Sequence, residues 1–214
     1  MIEVKTFVVN PIQENTFVVS DETKDAVIID CGALYPSEHQ AIKRYLSNNE
    51  LTLKHLLCTH GHLDHCFGNI TIYEEFGLKP EVMADDEFLI TKLDEQARNL
   101  FGFTLEDAIP PVGHYLTEGE LITFGNHQLK VIATPGHTPG SAVFYCEEEG
   151  VAFTGDTLFY MSVGRTDFER GSYSQLMESL EKLKQQLPPA TKLYTGHGPS
   201  TSMEAELRGN MYLR

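Results

Sequence analysis

Residues 59–65 read Thr59-His60-Gly61-His62-Leu63-Asp64-His65. Three imidazoles and a carboxylate fall between positions 60 and 65, a density of one chemistry found nowhere else in the chain. The residues leading in, Lys54 to Thr59, read as a short buried strand. The cluster therefore stands where a strand ends and the chain turns. Imidazole nitrogens and carboxylate oxygens are suited to zinc and iron. A polar turn with hydrogen-bonded histidines would explain one such residue. It does not explain four ligand-type side chains packed so closely.

Three later places repeat this arrangement. Thr134-Pro135-Gly136-His137-Thr138-Pro139-Gly140 follows a strand ending at Ala133. Gly155-Asp156 follows the apolar run Val151 to Thr154, and Thr195-Gly196-His197-Gly198-Pro199 follows Lys192-Leu193-Tyr194. Each time a strand ends, glycine or proline bends the chain, and one metal-type ligand stands at the bend. Glycine permits turns that other residues resist, and proline stiffens them. A stiff turn holds a ligand still, as a site requires. Any one of these places is more simply a turn; together with residues 59–65 they form a set. His39, His55 and His127 lack this setting and read as surface or packed histidines. His114 is a weaker candidate for contact with a substrate. Cys66 follows His65 directly, and a packed thiol is the simpler reading than a sulfur ligand.

Working outward, strands are expected at Ile2–Val9, Thr16–Ser20, Ala26–Asp30, Leu53–Thr59 and Glu81–Ala84. A helix is expected over Pro36–Leu46 with Ser37 as its N-cap, and another over Asp64–Phe76 stopped by Gly77. Residues 85–116 depart from the pattern. They open as a helix over Asp86–Phe101 and become a loop, an excursion with a small core of its own or a wall for substrate. Strands return at Leu121–Phe124, Gln128–Thr134, Ala142–Cys146, Val151–Thr154 and Lys192–Thr195. Helices are expected over Ser172–Leu187 and Ser202–Leu213. Strands then helix, repeated once, imply sheet on sheet with helices outside, in one domain over residues 1–214.

The composition narrows the function. A hydrophobic share of 41% and a charged share of 22% suit a globular core. The formal net charge of −15 repels nucleic acid and anionic lipid, so neither is expected as a partner. Cys31, Cys58, Cys66 and Cys146 show no C-x-x-C spacing and read as reduced thiols. No signal-type leader opens the sequence and no apolar run has membrane-spanning length, so a cytoplasmic location is expected.

The motif Thr59 to His65, with the later His137, Asp156 and His197, resembles that of the metallo-β-lactamase superfamily. The resemblance covers nearly the whole chain. It implies an α/β fold, the αββα four-layer sandwich, with metals at one edge between the sheets. It also implies a ligand set: His60, His62 and His137 for one metal, Asp64, His65 and His197 for a second, and Asp156 bridging them. The metals would be two divalent ions, zinc first, with iron or manganese as alternatives. Within the superfamily the chain is similar to the short glyoxalase II-like hydrolases. The tracts Gly155 to Phe159 and Gly164 to Phe168, the Gly196-His197-Gly198-Pro199 ending, and the late Glu204 and Asn210 carry that likeness. One departure stands out: only seventeen residues follow His197, whereas full-length glyoxalase II adds a helical domain that helps to hold glutathione.

The resemblance implies a thioesterase acting on a small hydroxyacyl-thiol such as S-lactoylglutathione, by attack of a hydroxide bridging the metals. Two divalent cations would carry four positive charges, of which Asp64, Asp156 and the hydroxide offset three. The surplus draws the pKa of bound water toward about 7. A thiol leaving group, with a pKa of about 8.5, departs without a strong acid, and no second acid is visible in the motifs. Asp64 is the expected catalytic residue, binding metal and orienting the hydroxide. Arg165 could meet a substrate carboxylate through its fork, with Tyr160 in support, or simply pair with Asp167. The alternative is an iron persulfide dioxygenase with His60, His137 and Asp156 as its facial triad. A metal-binding module without activity is a third reading.

Overall fold

The structure, a computed structural model, describes residues 1–105 and 109–214. Residues 106–108 of the expected excursion loop lie outside the described residues. The first sheet contains β1 (Glu3–Val9), β2 (Glu14–Ser20), β3 (Asp25–Ile29), β4 (Thr52–Leu57), β5 (Pro80–Met83) and β6 (His114–Leu116) in that spatial order. After β6 come β7 (Leu121–Phe124), β8 (His127–Ala133), β9 (Ala142–Cys146) and β10 (Val151–Gly155). A small hairpin of β11 (Leu158–Phe159) and β12 (Ser162–Val163) follows, then β13 (Lys192–Thr195) and β14 (Thr201–Ser202). The second sheet has the order β14-β13-β10-β9-β8-β7.

The strands read as continuous apolar runs because both faces of each sheet are covered. In β2, Phe17 and Val19 face the core between the sheets, while Val18 faces the helices. In β3, Val27 and Ile29 point inward and Ala26 and Ile28 outward. The second sheet mirrors this: Phe144 packs inside and Val143 outside. Helices α1 (Pro36–Asn48) and α2 (Asn69–Phe76) cover the first sheet through Ile42, Leu46 and Ile72. The excursion supplies α3 (Glu87–Ile90) and α4 (Leu93–Gln96). The long helix α5 (Tyr173–Gln186) covers the second sheet through Leu176, Leu180 and Leu183, joined by Met203 of α6 (Met203–Gly209). The result is the expected αββα sandwich.

Several local expectations change. The N-cap of α1 is Tyr35, not Ser37, because Pro36 occupies the first turn. The Glu38 carboxylate does the capping work, accepting from the backbone N–H of Leu34, Tyr35 and Asn10. The helix expected over Asp64–Phe76 is a 3-10 turn at Leu63–His65, a break, and then α2. At the break the chain passes so close to Cys31 that a Cβ on Gly68 would meet its sulfur at 2.5 Å. The helix expected over Asp86–Phe101 is broken as well, into a 3-10 turn, α3, α4 and a π-helical turn at Ala97–Phe101. Its Phe101 and Phe103 pack on Phe67, and Leu93 and Ala97 join a small core that is built against Val82 of β5 and Cys58 after β4, so the excursion packs on the sandwich and does not form a core of its own. The terminal helix likewise divides into α6 and a 3-10 turn at Met211–Leu213. Strands β6 and β14 and the β11–β12 hairpin are too short to register as periodic runs.

Candidate metal centre

The candidate ligands all stand just past strand ends at one edge of the sandwich. His60 and His62 lie in the turn after β4, and Asp64 and His65 in the 3-10 turn that follows. His137 lies between β8 and β9, Asp156 directly after β10, and His197 directly after β13. So four ligands come from the first sheet and three from the second. Two ties hold these edges together. The Ala142 N–H at the start of β9 donates to the Thr59 carbonyl at 2.8 Å. Across the other side, Asn15 of β2 donates its backbone N–H to the Gly196 carbonyl and its amide to the Thr195 and Gly198 carbonyls.

The seven side chains converge. His60, His62 and His137 offer ligand atoms within 4.8 Å of one another, and so do Asp64, His65 and His197. Nδ1 of His62 lies 2.9 Å from Nε2 of His137. Asp156 lies between the groups: its carboxylate is 3.3 Å from Nε2 of His65, 3.5 Å from Nε2 of His137 and 3.8 Å from Nε2 of His197. Asp64 is 3.2 Å from Nε2 of both His65 and His197.

What surrounds the imidazoles decides where their lone pairs point. Nδ1 of His65 donates to the Asp30 carboxylate at 3.0 Å, and Nδ1 of His137 to the Arg165 carbonyl at 2.7 Å. Nδ1 of His197 donates to the Ile12 carbonyl at 3.2 Å. Thr59 gives its hydroxyl proton to Asp30, which leaves its oxygen to accept from Nδ1 of His60 at 3.0 Å. Four rings thus have Nδ1 occupied and Nε2 turned inward, the orientation that suits a metal ligand. Nε2 of His60, Nε2 of His65 and Oδ1 of Asp156 are buried with no hydrogen-bond partner among the described residues. Such orphaned atoms are costly without a cation and satisfied by one. The residues present therefore fit divalent metal.

The electrostatics agree. Burial pushes the His60 imidazole well below its usual range, and the neighbouring histidines add to the effect. Burial and then His137 push His62 down to about 3. Both rings are thus neutral, as ligands must be. Burial would raise the Asp64 and Asp156 carboxyls, but His65 and the other imidazoles hold both down and ionised. Burial would lower His65, but Asp64, Asp156 and Asp30 outweigh it and hold the ring well above its usual range. The negative charge gathered around His65 is what a cation would neutralise.

Other expected site residues stand differently. Arg165 is exposed, with its fork on Asp167 at 2.5 and 2.6 Å, while its guanidinium lies 4.4 Å over the Phe168 ring. Tyr160 is exposed on the turn between β11 and β12. His114 bonds to Glu120 on β6, and His55 and His127 pair with Glu81 and Asp21. Cys66 is buried with its thiol toward the His60 carbonyl, and all four cysteines are free. Three buried carboxylates join the site unannounced by the motifs: Asp30, Asp86 and Glu14, the last 3.8 Å from Nδ1 of His65. Asp30 closes β3 with a left-handed φ of 52°, unusual outside glycine, and holds Thr59 and His65. A strand followed by Asp30, Cys31 and Gly32 has the same form as Gly155-Asp156, so the signal was present. Asp86 bonds the N–H groups of Gly61 and Gly140 and the Thr138 hydroxyl, at 2.9, 2.6 and 2.7 Å. It staples the turn of His60 and His62 to the loop of His137, and nothing local in the sequence marks it.

Residues 9–197 match the family model of the metallo-beta-lactamase superfamily. The chain belongs to the metallo-β-lactamase superfamily. Among its superfamily relatives is the hydroxyacylglutathione hydrolase GloC of Haemophilus influenzae, 36% identical, with 96% of this chain and 95% of the relative covered. Among solved structures, the BLEG-1 B3 metallo-β-lactamase superposes with a TM-score of 0.88 at 31% identity over 99% of both chains. TTHA1623, solved in a di-iron-bound form, gives 0.86 at 33% identity over 98% of this chain and all of its own. This is a superfamily of metal-binding hydrolases, and the chain carries His/Asp groups that could hold metal. Among the described residues no helix is long and apolar enough to cross a membrane.

Proposed function

We propose that this chain is a thioesterase of glyoxalase II type: it hydrolyses a small hydroxyacyl-thiol, S-lactoylglutathione being the type substrate, to a hydroxy acid and a free thiol. His60, His62 and His137 would hold one divalent ion, Asp64, His65 and His197 a second, and Asp156 both, with zinc as the first expectation. When bound, such ions supply an activated water and a Lewis acid for the carbonyl oxygen. The chain's residues supply order. Asp30, Thr59 and the carbonyls of Arg165 and Ile12 fix the imidazole tautomers. Asp64 keeps its charge in the burial that would otherwise neutralise it. Its carboxylate and that of Asp156 both flank Nε2 of His65, where Asp64 would orient an activated water. Arg165 and Tyr160 remain the candidate substrate contacts, although a substrate carboxylate would have to displace Asp167 from Arg165.

The observation that supports this most is the second trio. A dioxygenase built on His60, His137 and Asp156 alone would leave Asp64, the buried His65 and His197 clustered with no cation between them. Metal analysis with parallel assays tests the reading. Two zinc ions per chain and turnover of S-lactoylglutathione are expected. One iron per chain, with oxygen consumed on a persulfide, would overturn it. Asp156→Ala should lower the content of both metals, and full retention of both would refute the bridging role.

A further inference from the structure

We propose that the cleft beside His62 is a subsite for an apolar arm of the thioester, an alkyl or aromatic group one bond or a few from the scissile unit. The proposal rests on the thioesterase reading and names which chemistry that site selects. The cleft has a volume of about 200 Å³ with His62 in its lining, and Phe88, Leu89, Leu100 and Phe168 make its apolar walls. The Phe168 ring meets the edge of His62 at 4.9 Å between centroids and that of His137 at 6.1 Å. The apolar wall therefore begins at the ligand cluster itself.

Beside Asn99, which also lines the cleft, several polar groups in reach are already engaged. Gln96 accepts from the Leu63 N–H and donates to the Gly61 and Leu89 carbonyls, so its amide belongs to the loop and not to a ligand. Arg165 and Arg170 lie over the Phe168 and Phe88 rings at 4.4 and 4.1 Å, and Arg165 is also bound to Asp167. The charged side chains left in the lining are Lys92, Glu95 and Glu169, one cation against two carboxylates. A tripeptide arm with two carboxylates of its own would meet one lysine in the lining and two arginines already stacked on its rings, inside the field of a chain with net charge −15. An alkyl or aromatic arm would meet matching surface and lose nothing.

The test uses the metal-loaded full chain, with metal content measured for each variant. kcat/KM is determined on acyl chains of increasing length carried by one neutral thiol, and on one acyl group carried by neutral thiols of increasing length. S-lactoylglutathione is the charged reference. In one of the two series kcat/KM should rise about fourfold per methylene before levelling off. The series that rises identifies the arm. Phe88→Ala and Leu100→Ser should each flatten that rise at unchanged metal content. Leu100 is 58% exposed, so its replacement keeps the test open should Phe88→Ala fail to fold. Two flat series, or S-lactoylglutathione preferred roughly tenfold over every neutral thioester, would overturn the subsite and leave the thioesterase reading standing. No turnover of any thioester by fully loaded protein would overturn both.

Discussion

Asp86 shows how much a single buried side chain can carry. It touches no candidate ligand, yet its three acceptor contacts join the two loops that bear His60, His62 and His137. There is no slack around it: a Cβ on Gly140 would come within 2.7 Å of the Asp86 carboxyl. Asp86→Ala leaves the buried Gly61 and Gly140 N–H groups without partners and takes one acceptor from Thr138, which costs about 3 kcal/mol. That loss should appear in urea unfolding of the metal-free protein. The same variant should bind metal about 10- to 100-fold more weakly in chelator competition, the usual effect of losing a support behind the ligands. Asp86→Asn keeps the shape but turns an amide N–H₂ toward N–H donors, so it should recover less than half of the lost stability. Asp30→Asn acts elsewhere, loosening the tautomer of His65 and with it the Asp64–His65–His197 trio.

At the scale of elements, helix α5 is fastened to the His137 loop as much as to the sheet. Its N-terminal Ser172 donates its backbone N–H to the Gly136 carbonyl, Ser179 its hydroxyl to the Pro135 carbonyl, and Lys182 its ammonium to the Ala133 carbonyl. Gly136 has a φ of 149°, and a Cβ there would sit 2.4 Å from the Leu176 Cα. Gly136→Ala must therefore push the helix off the loop. About 2 kcal/mol of stability should be lost in thermal or urea unfolding, with metal content falling too. The sequence displayed such glycine-marked strand ends plainly, since a strand followed by glycine and a ligand is a local pattern. It also displayed the long strands and α5, whose apolar spacing is regular. Breaks inside helices were not legible. The Asp64–Phe76 segment has helical spacing, but His65 must reach Asp30 and Gly68 must pass Cys31, and both demands come from other parts of the chain. Asp86 stayed hidden for the same reason: its partners lie 25 and 54 residues away.

Across the whole molecule, a further tie between the sheets lies at the end of β8 away from the His137 loop. His127, opening β8, bonds Asp21 at the end of β2 and Glu149 beyond β9. Burial alone would lower the His127 pKa, but Asp21 and Glu149 outweigh it and raise it above the ordinary imidazole value. A raised imidazole pKa adds stability that is complete below the unfolded value of about 6.5 and is lost as pH climbs through the folded one. His127→Gln should thus destabilise more at pH 6 than at pH 9 in urea unfolding, and an equal loss at both would refute the pairing. The global charge gives another expectation. With a net −15, an anionic thioester is repelled at low salt, so its kcat/KM should rise as ionic strength increases to a physiological level. A neutral thioester should respond little.

The bond from Asn15 to the Gly196 carbonyl and the short β-bridge between Glu14 and His197 join nearly opposite ends of the chain. They also set a timetable. His60, His62 and His137 have all been synthesised once the chain reaches residue 137, whereas the trio completed by His197 waits for 60 further residues. At a synthesis rate of about 5–20 residues per second that interval is roughly 3–12 s. Through it, Asp64 and His65 stand beside a half-built pocket with their last partner missing. The second trio is thus the later of the two to be completed, and the hairpin made earliest is the latch that closes last.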